Sequence, residues 1–210
     1  MEIVSIFNKY GRRSIKNNVT RSFGLLENFL AMQRAKMANK IISDKHRSGR
    51  VLDIGCGSFP IFLLTTKFLK KFGIEKNEAI LKTPFKKIIF VNYDIEKGDV
   101  MPFEENFIDI VTMLAVFEHI EYKRWMTVLS NLYRILKPNG AFIMTVPSTW
   151  SYHLLRLMSV CGLVSRKEIE DHKTNLSSAE IIRKLKNANF KNIRSGYFEG
   201  FLNRWFVGEK

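Results

Sequence analysis

From residue 50 onward, short apolar segments typical of strands alternate with segments of helical periodicity. Such a chain folds as a doubly wound α/β sheet, because parallel strands need a long crossover connection and a helix usually supplies it. The helical spacing is clearest in YKRWMTVLSNLYRILKPNG, where Pro138, Asn139 and Gly140 should end the helix. The strand-like segments are GRVLDIG, FGIE, KKIIFVNYD, FIDIVTMLAVF, AFIMTVP, NIRSGYF and NRWFVGEK.

Two further segments are predicted as helices. IFLLTTKFLKKF, residues 61–72, follows Pro60, which suits a first helical turn. SSAEIIRKLKNANF opens with a capping box between Ser177 and Glu180, in which each residue satisfies a backbone N–H of the other. The order of elements from residue 46 to residue 210 predicts one α/β domain.

The first 45 residues are polar and basic, with the pattern of a helix. Leu26, Leu30, Met37 and Ile41 fall near one face of it. We predict a basic helical flank or lid over residues 1–45, packed on a main domain of residues 46–210. The alternative is a plain N-terminal helix without a functional contact.

The net charge of +14 is concentrated at the two ends of the chain. Residues 1–50 hold 11 Lys and Arg against 3 Asp and Glu, and residues 151–210 hold 11 against 6, whereas residues 51–150 hold 12 against 11. Basic ends indicate attraction to an anion, such as RNA, an anionic membrane surface or a phosphorylated substrate. A lysine-rich solvated surface without a partner explains the charge equally well.

The compartment is predicted from what the sequence lacks. We find no export signal between Met1 and Tyr10, and no apolar run that approaches the roughly 18 residues of a transmembrane span. Cys56 and Cys161 make neither a disulfide framework nor a zinc site, and we predict no metal. We expect a cytoplasmic protein, with a peripheral position at the membrane surface as a second prediction, that is a monomer or a homodimer.

The first strand-to-helix turn carries the chemistry. Right-handed crossovers place all such turns at one edge of the sheet, where ligands bind. In VLDIGCGSFPIF, Gly55 and Gly57 allow a tight turn and a close ligand, and a phosphate or carboxylate suits the following helix start. A dinucleotide fits this pattern too, but Asp53 would repel a pyrophosphate and favours a ligand with a cation. The alternative for Asp53 is a structural acid that bonds the turn.

Acidic residues also end the next two strands. Glu75 can accept hydrogen bonds from both hydroxyls of a ribose, as in any adenosine ligand. Asp94 can accept from the exocyclic amine of adenine while the Ile95 N–H reaches a ring nitrogen. The alternatives are a surface acid beside Lys76 for Glu75 and a turn-forming acid for Asp94. Acids at three successive strand ends together indicate an adenosyl ligand with positive charge.

These segments resemble a known family. VLDIGCG, FGIE, NYDIE, MPFEENFIDIVTMLAVFEHI and LYRILKPNGAFIMTVP are similar to the ordered motifs of class I S-adenosylmethionine-dependent methyltransferases, in particular the methyltransferase type 11 group of small-molecule and lipid enzymes. The resemblance covers about residues 48–200. It implies a Rossmann-like seven-stranded sheet, mostly parallel with an antiparallel last strand, with S-adenosyl-L-methionine as cofactor and S-adenosyl-L-homocysteine as product.

The resemblance also implies roles for individual residues. The methionine end of the cofactor would lie against Asp53 and the turn, the ribose against Glu75 with Lys76 beside it, and the adenine against Asp94 and Ile95. Leu114 and Ala115 would present backbone to the methionyl group. The turn residues are Gly55, Cys56, Gly57 and Ser58.

The same turn contains one departure from the family pattern. The resemblance implies that Cys56 is a small turn residue and not a nucleophile. Phe59 stands where the family usually has a third glycine, so we expect it to narrow the pocket or to cover the cofactor's carboxylate.

Two histidines are candidates for a catalytic base. His119 follows the fourth strand and would face the transferring methyl group; the alternative is a helix-start histidine bonded to Glu118 or Glu121. His172 lies in the loop before a late helix, where the family often has a substrate-facing histidine; the alternative is an exposed loop residue.

The methyl acceptor is narrowed by exclusion. The fourth strand leads into LAVFEH rather than Asn-Pro-Pro-Tyr, which argues against adenine-N6 and glutamine methyltransferases. The apolar segment at residues 150–167 suits a lid over a lipid-linked acceptor, or a helix packed on the sheet. We therefore predict transfer to a small-molecule, sugar- or lipid-linked acceptor at oxygen. An RNA or tRNA methyltransferase and a non-catalytic cofactor-binding regulatory module are the alternatives.

Overall fold

The computed structural model describes residues 27–76, 85–149 and 177–210 of the 210-residue chain. Helices and strands follow one another as the sequence predicts. Their bounds, in chain order, are α1 Glu27–Ile41, β1 Arg50–Ile54, α2 Ile61–Thr65, β2 Lys70–Glu75, β3 Ile89–Asn92, β4 Ile108–Leu114, α3 Trp125–Ile135, β5 Leu136–Pro147, α4 Ser178–Asn187, β6 Lys191–Phe198 and β7 Asn203–Glu209.

The described strands form one seven-stranded sheet in the order β3-β2-β1-β4-β5-β7-β6. Strands β1 to β5 pair in parallel, and β7 pairs antiparallel with both β5 and β6. The predicted α/β sheet with an antiparallel last strand is confirmed. The carboxyl ends of β1, β2, β4 and β5 therefore share one edge, which is called the carboxyl edge below.

Helices cover both faces of the sheet because successive strand residues point to opposite sides. In β1, Leu52 belongs to a core cluster that α3 and α4 complete, whereas Val51 belongs to a second cluster that α1 and α2 complete. Both side chains are fully buried. The near-continuous apolar character of these strands follows from this two-sided burial.

Helix α1 lies on the sheet through small side chains rather than large ones. Ala35 and Ala38 are its buried residues, with Ile42 buried directly after its end, while Leu30 and Met37 are half-buried. The predicted face is thus half-buried at these two residues, while the small alanines let the helix backbone approach the sheet closely. Leu26 lies outside the described residues, and the division of the chain at residue 45 stays a prediction.

Helix α2 is shorter than the twelve-residue segment predicted from the sequence. It ends at Thr65, and Lys70 and Lys71 already belong to β2, where they pair with Arg50 and Val51. The ammonium group of Lys71 donates to the carbonyls of Leu63 and Thr66 at 2.7 and 2.6 Å, so it satisfies acceptors at the helix end. Pairing with β1 overrides the helical spacing of these residues.

The predicted helix stop at residues 138–140 is part of a strand. Helix α3 ends at Ile135 and β5 begins at Leu136. Asn139 has φ +63°, its N–H donates to the Lys210 carbonyl at 3.1 Å, and the Lys210 N–H donates to Gly140. The chain terminus thus holds these turn-type residues in the sheet.

Among the described residues, none of the helices has the length and apolar character of a membrane span.

The capping box at the start of α4 is confirmed, and it supports a stability prediction. The Ser177 hydroxyl accepts from the Glu180 N–H at 3.2 Å, and the Glu180 carboxylate accepts from the Ser177 N–H at 3.1 Å. Replacing Ser177 by alanine should lower the free energy of unfolding by about 1 kcal/mol, measured by urea denaturation. Ser177→Thr is the control that keeps the cap. Equal losses in both variants would contradict the capping role.

Candidate cofactor-binding site

The turn after β1 needs glycine at two positions. Gly55 and Gly57 have φ +71° and +69°, a left-handed conformation that disfavours other residues. A Cβ on Gly55 would lie 2.5 Å from a methyl carbon of Val116, which follows β4. The Gly55 N–H donates to the Ile74 carbonyl at 2.9 Å. The turn therefore packs closely against the ends of both neighbouring strands.

Asp53 is a buried acid at the end of β1. Only 4% of its surface is exposed, and its Oδ1 accepts a hydrogen bond of 2.6 Å from the Thr112 hydroxyl on β4. Burial raises the pKa of Asp53 to about 7; the Thr112 hydrogen bond opposes the shift, and the nearby Glu75 charge adds to it. The ionised form is costly here unless a positive charge comes close.

Glu75 is also buried, with 8% of its surface exposed. Its Oε2 accepts from the Gly57 N–H at 3.2 Å, and its Oε1 accepts from the Lys76 N–H at 3.0 Å. The side chain thus holds the glycine turn on the end of β2. The Lys76 ammonium lies 3.9 Å from a carboxylate oxygen of Glu96.

Cys56 is a packing residue in this structure. Its side chain is buried, and its sulfur lies 2.8 Å from the position that a Cβ on Gly73 of β2 would take. Burial, together with the charges of Asp53 and Glu75, raises the pKa of the thiol well above its ordinary value. A protonated, buried thiol is a poor nucleophile, which agrees with the structural role predicted for Cys56.

Asp94 forms the turn that follows β3. Its Oδ1 accepts from the Glu96 N–H at 3.0 Å, and its backbone carbonyl accepts from Gly98 at 2.9 Å. The turn-forming role is therefore present, and the adenine contact remains a prediction. The side chain of Ile95 packs against the core cluster of α3 and α4.

The end of β4 is strained. Ala115 has φ +57°, which costs a non-glycine residue about 1 kcal/mol or more. Its N–H donates to the carbonyl and to the hydroxyl of Thr145 on β5, at 3.0 and 3.1 Å. Any backbone contact from Ala115 to a ligand would therefore use its carbonyl oxygen. Such strain persists where the surroundings enforce it, often at a functional site. Leu114 is half-buried beside it.

The structure describes one of the two candidate bases. His119 lies in a short 3-10 turn, Phe117–His119, directly after the β4 end, and is half-buried. Its predicted place near the carboxyl edge agrees with this position. His172 lies outside the described residues. Ser58, which closes the glycine turn, is half-buried.

Phe59 packs into the core beside the glycine turn, and its contact with the cofactor's carboxylate stays a prediction. The Phe59 ring is 7% exposed and packs edge-on against Phe85 in the cluster below the sheet, so it fills core space. Helix α2 has only five residues, too few for a strong N-terminal anion site. The acids, rather than the helix, define the charge of this edge.

Sequence reasoning missed the buried threonines. Thr112 and Thr145 are fully buried and bind Asp53 and the Ala115 N–H. The signal was present, since each is the single hydroxyl residue within an apolar strand. Arg204 was missed as well; it is 4% exposed and donates to the Pro147 carbonyl at 2.9 Å.

The residues at this edge fit a cationic adenosyl ligand. Asp53 and Glu75 end neighbouring strands and are both buried, and the charge of Glu75 helps to raise the pKa of Asp53. An ammonium group beside them would relieve this repulsion, whereas a pyrophosphate would increase it. Among the described residues, no three His, Cys, Asp or Glu side chains gather closely enough to hold a metal ion.

Residues 52–144 match the family model described as a methyltransferase domain. A tRNA N(3)-methylcytidine methyltransferase from Schizosaccharomyces pombe is 28% identical over 106 residues, which cover 44% of this chain and 34% of that protein. The chain thus spans about a third of the length of this relative.

Solved structures show the same fold. An S-adenosylmethionine-dependent methyltransferase from Archaeoglobus fulgidus superposes with a TM-score of 0.67 at 18% identity, over 88% of this chain and 97% of its own. A second such enzyme, from Thermotoga maritima, superposes with a TM-score of 0.67 at 16% identity, over 100% of this chain and 96% of its own. A methyltransferase in complex with the Trm112 activator from Haloferax volcanii superposes with a TM-score of 0.59 at 18% identity, over 86% of this chain and 96% of its own. The seven-stranded sheet is thus the fold of these S-adenosylmethionine-dependent methyltransferases, and residues 52–144 match the model of a methyltransferase domain.

Proposed function

We propose that this protein transfers a methyl group from S-adenosylmethionine to an oxygen atom of a small-molecule, sugar- or lipid-linked acceptor. The observation that carries the proposal is the pair of buried acids, Asp53 and Glu75, beside the glycine turn at the carboxyl edge. This arrangement favours a ligand with an ammonium and a ribose. When bound, the cofactor supplies an activated methyl group.

The cofactor contacts are proposed residue by residue. Asp53 would accept from the ammonium group, Glu75 would accept from the ribose hydroxyls, and Asp94 with Ile95 would bind the adenine. Lys76 would lie beside the ribose, next to Glu75. The turn residues and the β4 end would enclose the methionine part: Gly55, Cys56, Gly57, Ser58, Leu114 and Ala115.

Buried polar side chains at the same edge support a polar acceptor. They lie after β4, after β5 and at the start of β7, close to the strained end of β4. Groups of this kind suit the hydroxyls of a sugar better than a purely apolar ligand. The residues, all less than 7% exposed, are Glu118, Ser148, Asn203 and Arg204.

Calorimetry and labelling test the proposal. We expect S-adenosylmethionine to bind, and label from its methyl group to enter the lipid- and sugar-containing fraction of a cell extract. Absence of binding at millimolar cofactor would reject the cofactor assignment. Binding without label in any fraction would favour the regulatory module instead.

His119 is proposed as the base that receives the acceptor's proton. Its replacement by alanine should lower the rate of methyl transfer by about 10²-fold or more, since a positioned base contributes that much. Cofactor affinity should stay unchanged, as measured by calorimetry. Transfer at the original rate would remove His119 from the mechanism and leave His172 as the candidate.

An RNA acceptor is the second candidate, favoured by the similarity to the tRNA methyltransferase and by the basic ends. It predicts methyl incorporation into tRNA and binding that weakens steeply with salt. The solved structure of a methyltransferase with the Trm112 activator suggests adding such an activator to the assay. Label in RNA, absent from lipids and sugars, would replace the first proposal.

A further inference from the structure

Thr112 is a fully buried hydroxyl residue on β4, directly beside Asp53 on β1. The two residues are register partners in the parallel strand pair, so their side chains share one face of the sheet. The preceding pair on that face is Val51 and Ile110, and both belong to the apolar cluster that α1 and α2 complete. A row of apolar contacts between the two strands therefore ends in one buried polar pair.

The hydroxyl oxygen of Thr112 has two acceptors within reach. It lies 2.6 Å from Oδ1 of Asp53 and 3.4 Å from the Leu52 carbonyl oxygen. Its single proton is donated to the nearer carboxylate oxygen, at a distance typical of a hydroxyl on an ionised acid. If Asp53 took up a proton, the acid would donate to Thr112 and the hydroxyl would turn to Leu52. Thr112 therefore bonds both forms of the acid, and the ionised form more strongly.

The second oxygen of Asp53 is left for a ligand. Oδ2 accepts no hydrogen bond from the described residues, and none of their basic side chains forms an ion pair with this carboxylate. Asp53 keeps 4% of its surface exposed, and Gly55, which opens the turn after β1, is exposed. One carboxylate oxygen is thus held by the fold while the other has no partner among the described residues.

The titratable groups around Asp53 are acids. Glu75 on β2 adds its negative charge and helps to raise the pKa of Asp53, whereas the Thr112 hydrogen bond lowers it. The thiol of Cys56 in the glycine turn has its own pKa raised by Asp53 and Glu75. None of these neighbours supplies positive charge, so an ammonium group brought by a ligand would be the missing partner of the ionised acid.

We propose that Thr112 is a positioning residue for the cofactor: its hydroxyl fixes Oδ1 of the ionised Asp53, so that Oδ2 faces the ammonium group of S-adenosylmethionine. The inference rests on the contact between Asp53 and the ammonium group in the proposed function, and it adds the residue that orients the acid. Cofactor binding then requires the ionised carboxylate. Where Asp53 is protonated beforehand, its proton is released to solvent on binding.

NMR of the Asp53 carboxyl carbon tests the hydrogen bond without turnover. The resonance, assigned by its absence in Asp53→Asn, should titrate in the ligand-free protein with a midpoint at about pH 7. Thr112→Val keeps the side-chain shape and removes the hydroxyl, so it should raise the midpoint by about one pH unit or more. Thr112→Ala should do the same, so that a folding defect in one variant, identified by thermal melts, does not decide the test.

Two further variants are controls. Thr112→Ser keeps a hydroxyl donor and should leave the Asp53 midpoint close to that of the wild type. Thr145→Val removes the other fully buried threonine hydroxyl, which lies on β5 and accepts from the Ala115 N–H. Because Thr145 does not bond Asp53, its replacement should leave the midpoint unchanged.

Ligand binding provides a second readout. S-adenosylhomocysteine, which carries the ammonium group, should lower the Asp53 midpoint to below about pH 6, whereas adenosine, which lacks it, should leave the midpoint near its ligand-free value. If Thr112→Val raises the midpoint by about one unit, its affinity for S-adenosylmethionine should fall by about tenfold at pH 6 and by about twofold at pH 8, measured by calorimetry. A defect in packing alone would weaken binding equally at both pH values.

A raised midpoint in Thr112→Val that is absent in Thr112→Ser, together with the pH-dependent loss of affinity, supports the inference. An unchanged midpoint in Thr112→Val, or an equal loss of affinity at both pH values, would overturn it while leaving the proposed function intact. If S-adenosylhomocysteine binds without moving the Asp53 midpoint, the proposed contact with the ammonium group is wrong and the positioning role is rejected with it. Absence of any S-adenosylhomocysteine binding would count against the proposed function itself.

Discussion

Replacing Asp53 by asparagine is expected to weaken S-adenosylmethionine binding by about thirtyfold or more, because removing one partner of a buried charge pair costs at least about 2 kcal/mol. The same change should raise the melting temperature of the cofactor-free protein at about pH 8. The second effect arises because the buried carboxylate, 4% exposed, has no positive partner within the described part of the chain and accepts a hydrogen bond there from the Thr112 hydroxyl.

The pH dependence gives the sign of the stability effect. The fold raises the pKa of Asp53 to about 7, above its ordinary value of 3.8, so the fold favours the protonated acid. Its contribution to the free energy of unfolding is therefore fully present below about pH 4 and is lost as the pH rises to about 7, by at most about 4 kcal/mol. Asparagine does not titrate, so the two proteins should differ in melting temperature mainly at the upper end of this range.

Asp109→Asn is the matched control at the opposite edge of the sheet. Asp109 accepts from the Lys137 ammonium at 2.8 Å and from the Arg50 N–H at 2.8 Å, and lies near the start of β4. Its replacement should lower stability and leave cofactor affinity unchanged. Equal loss of affinity in both variants would show that Asp53 acts through the fold rather than through the ligand.

Replacing Glu75 by alanine is expected to weaken S-adenosylmethionine binding by about a hundredfold or more, because two hydrogen bonds to a charged group are worth about 3 kcal/mol or more. Glu75 has a second role that adds to this loss. Its carboxylate holds the Gly57 N–H at 3.2 Å, so its removal also loosens the glycine turn. Titration calorimetry measures the change.

Adenosine separates the roles of the two acids. It carries the ribose but no ammonium group, so Glu75→Ala should weaken adenosine and S-adenosylmethionine binding alike. Asp53→Asn should weaken only the binding of S-adenosylmethionine and leave adenosine binding unchanged. If Asp53→Asn weakened adenosine binding as strongly, or Glu75→Ala left it intact, the proposed orientation of the cofactor would be incorrect. Glu104→Ala, at an exposed acid, should change neither affinity.

Local sequence patterns predicted the parts of the protein that local physics controls. The alternation of apolar strands and helices predicted the α/β sheet, because each element must bury one or two faces. The glycines of VLDIGCG predicted the tight turn, since positive φ at Gly55 and Gly57 requires them. The capping box from Ser177 to Glu180 was readable because its partners are three residues apart.

Where local and tertiary preferences competed, the sequence misled. Residues 66–72 have helical spacing, yet pairing of Lys70 and Lys71 with β1 makes part of them a strand. Residues 138–140 have turn chemistry, yet the chain terminus holds them in β5. In both cases hydrogen bonds to distant segments outweigh the local preference, which is worth less per residue.

The carboxyl edge was predicted from the acids of successive strands, and the resemblance to methyltransferases rested partly on them. The residues that contact buried acids were not predicted. Thr112 meets Asp53 from 59 residues away in sequence, and the charge of Arg34 on α1 acts on Glu199, between β6 and β7. Such pairs depend on strand order and on how closely α1 lies on the sheet. Periodicity in a single segment fixes which face a side chain occupies, whereas packing between segments decides which side chain it meets.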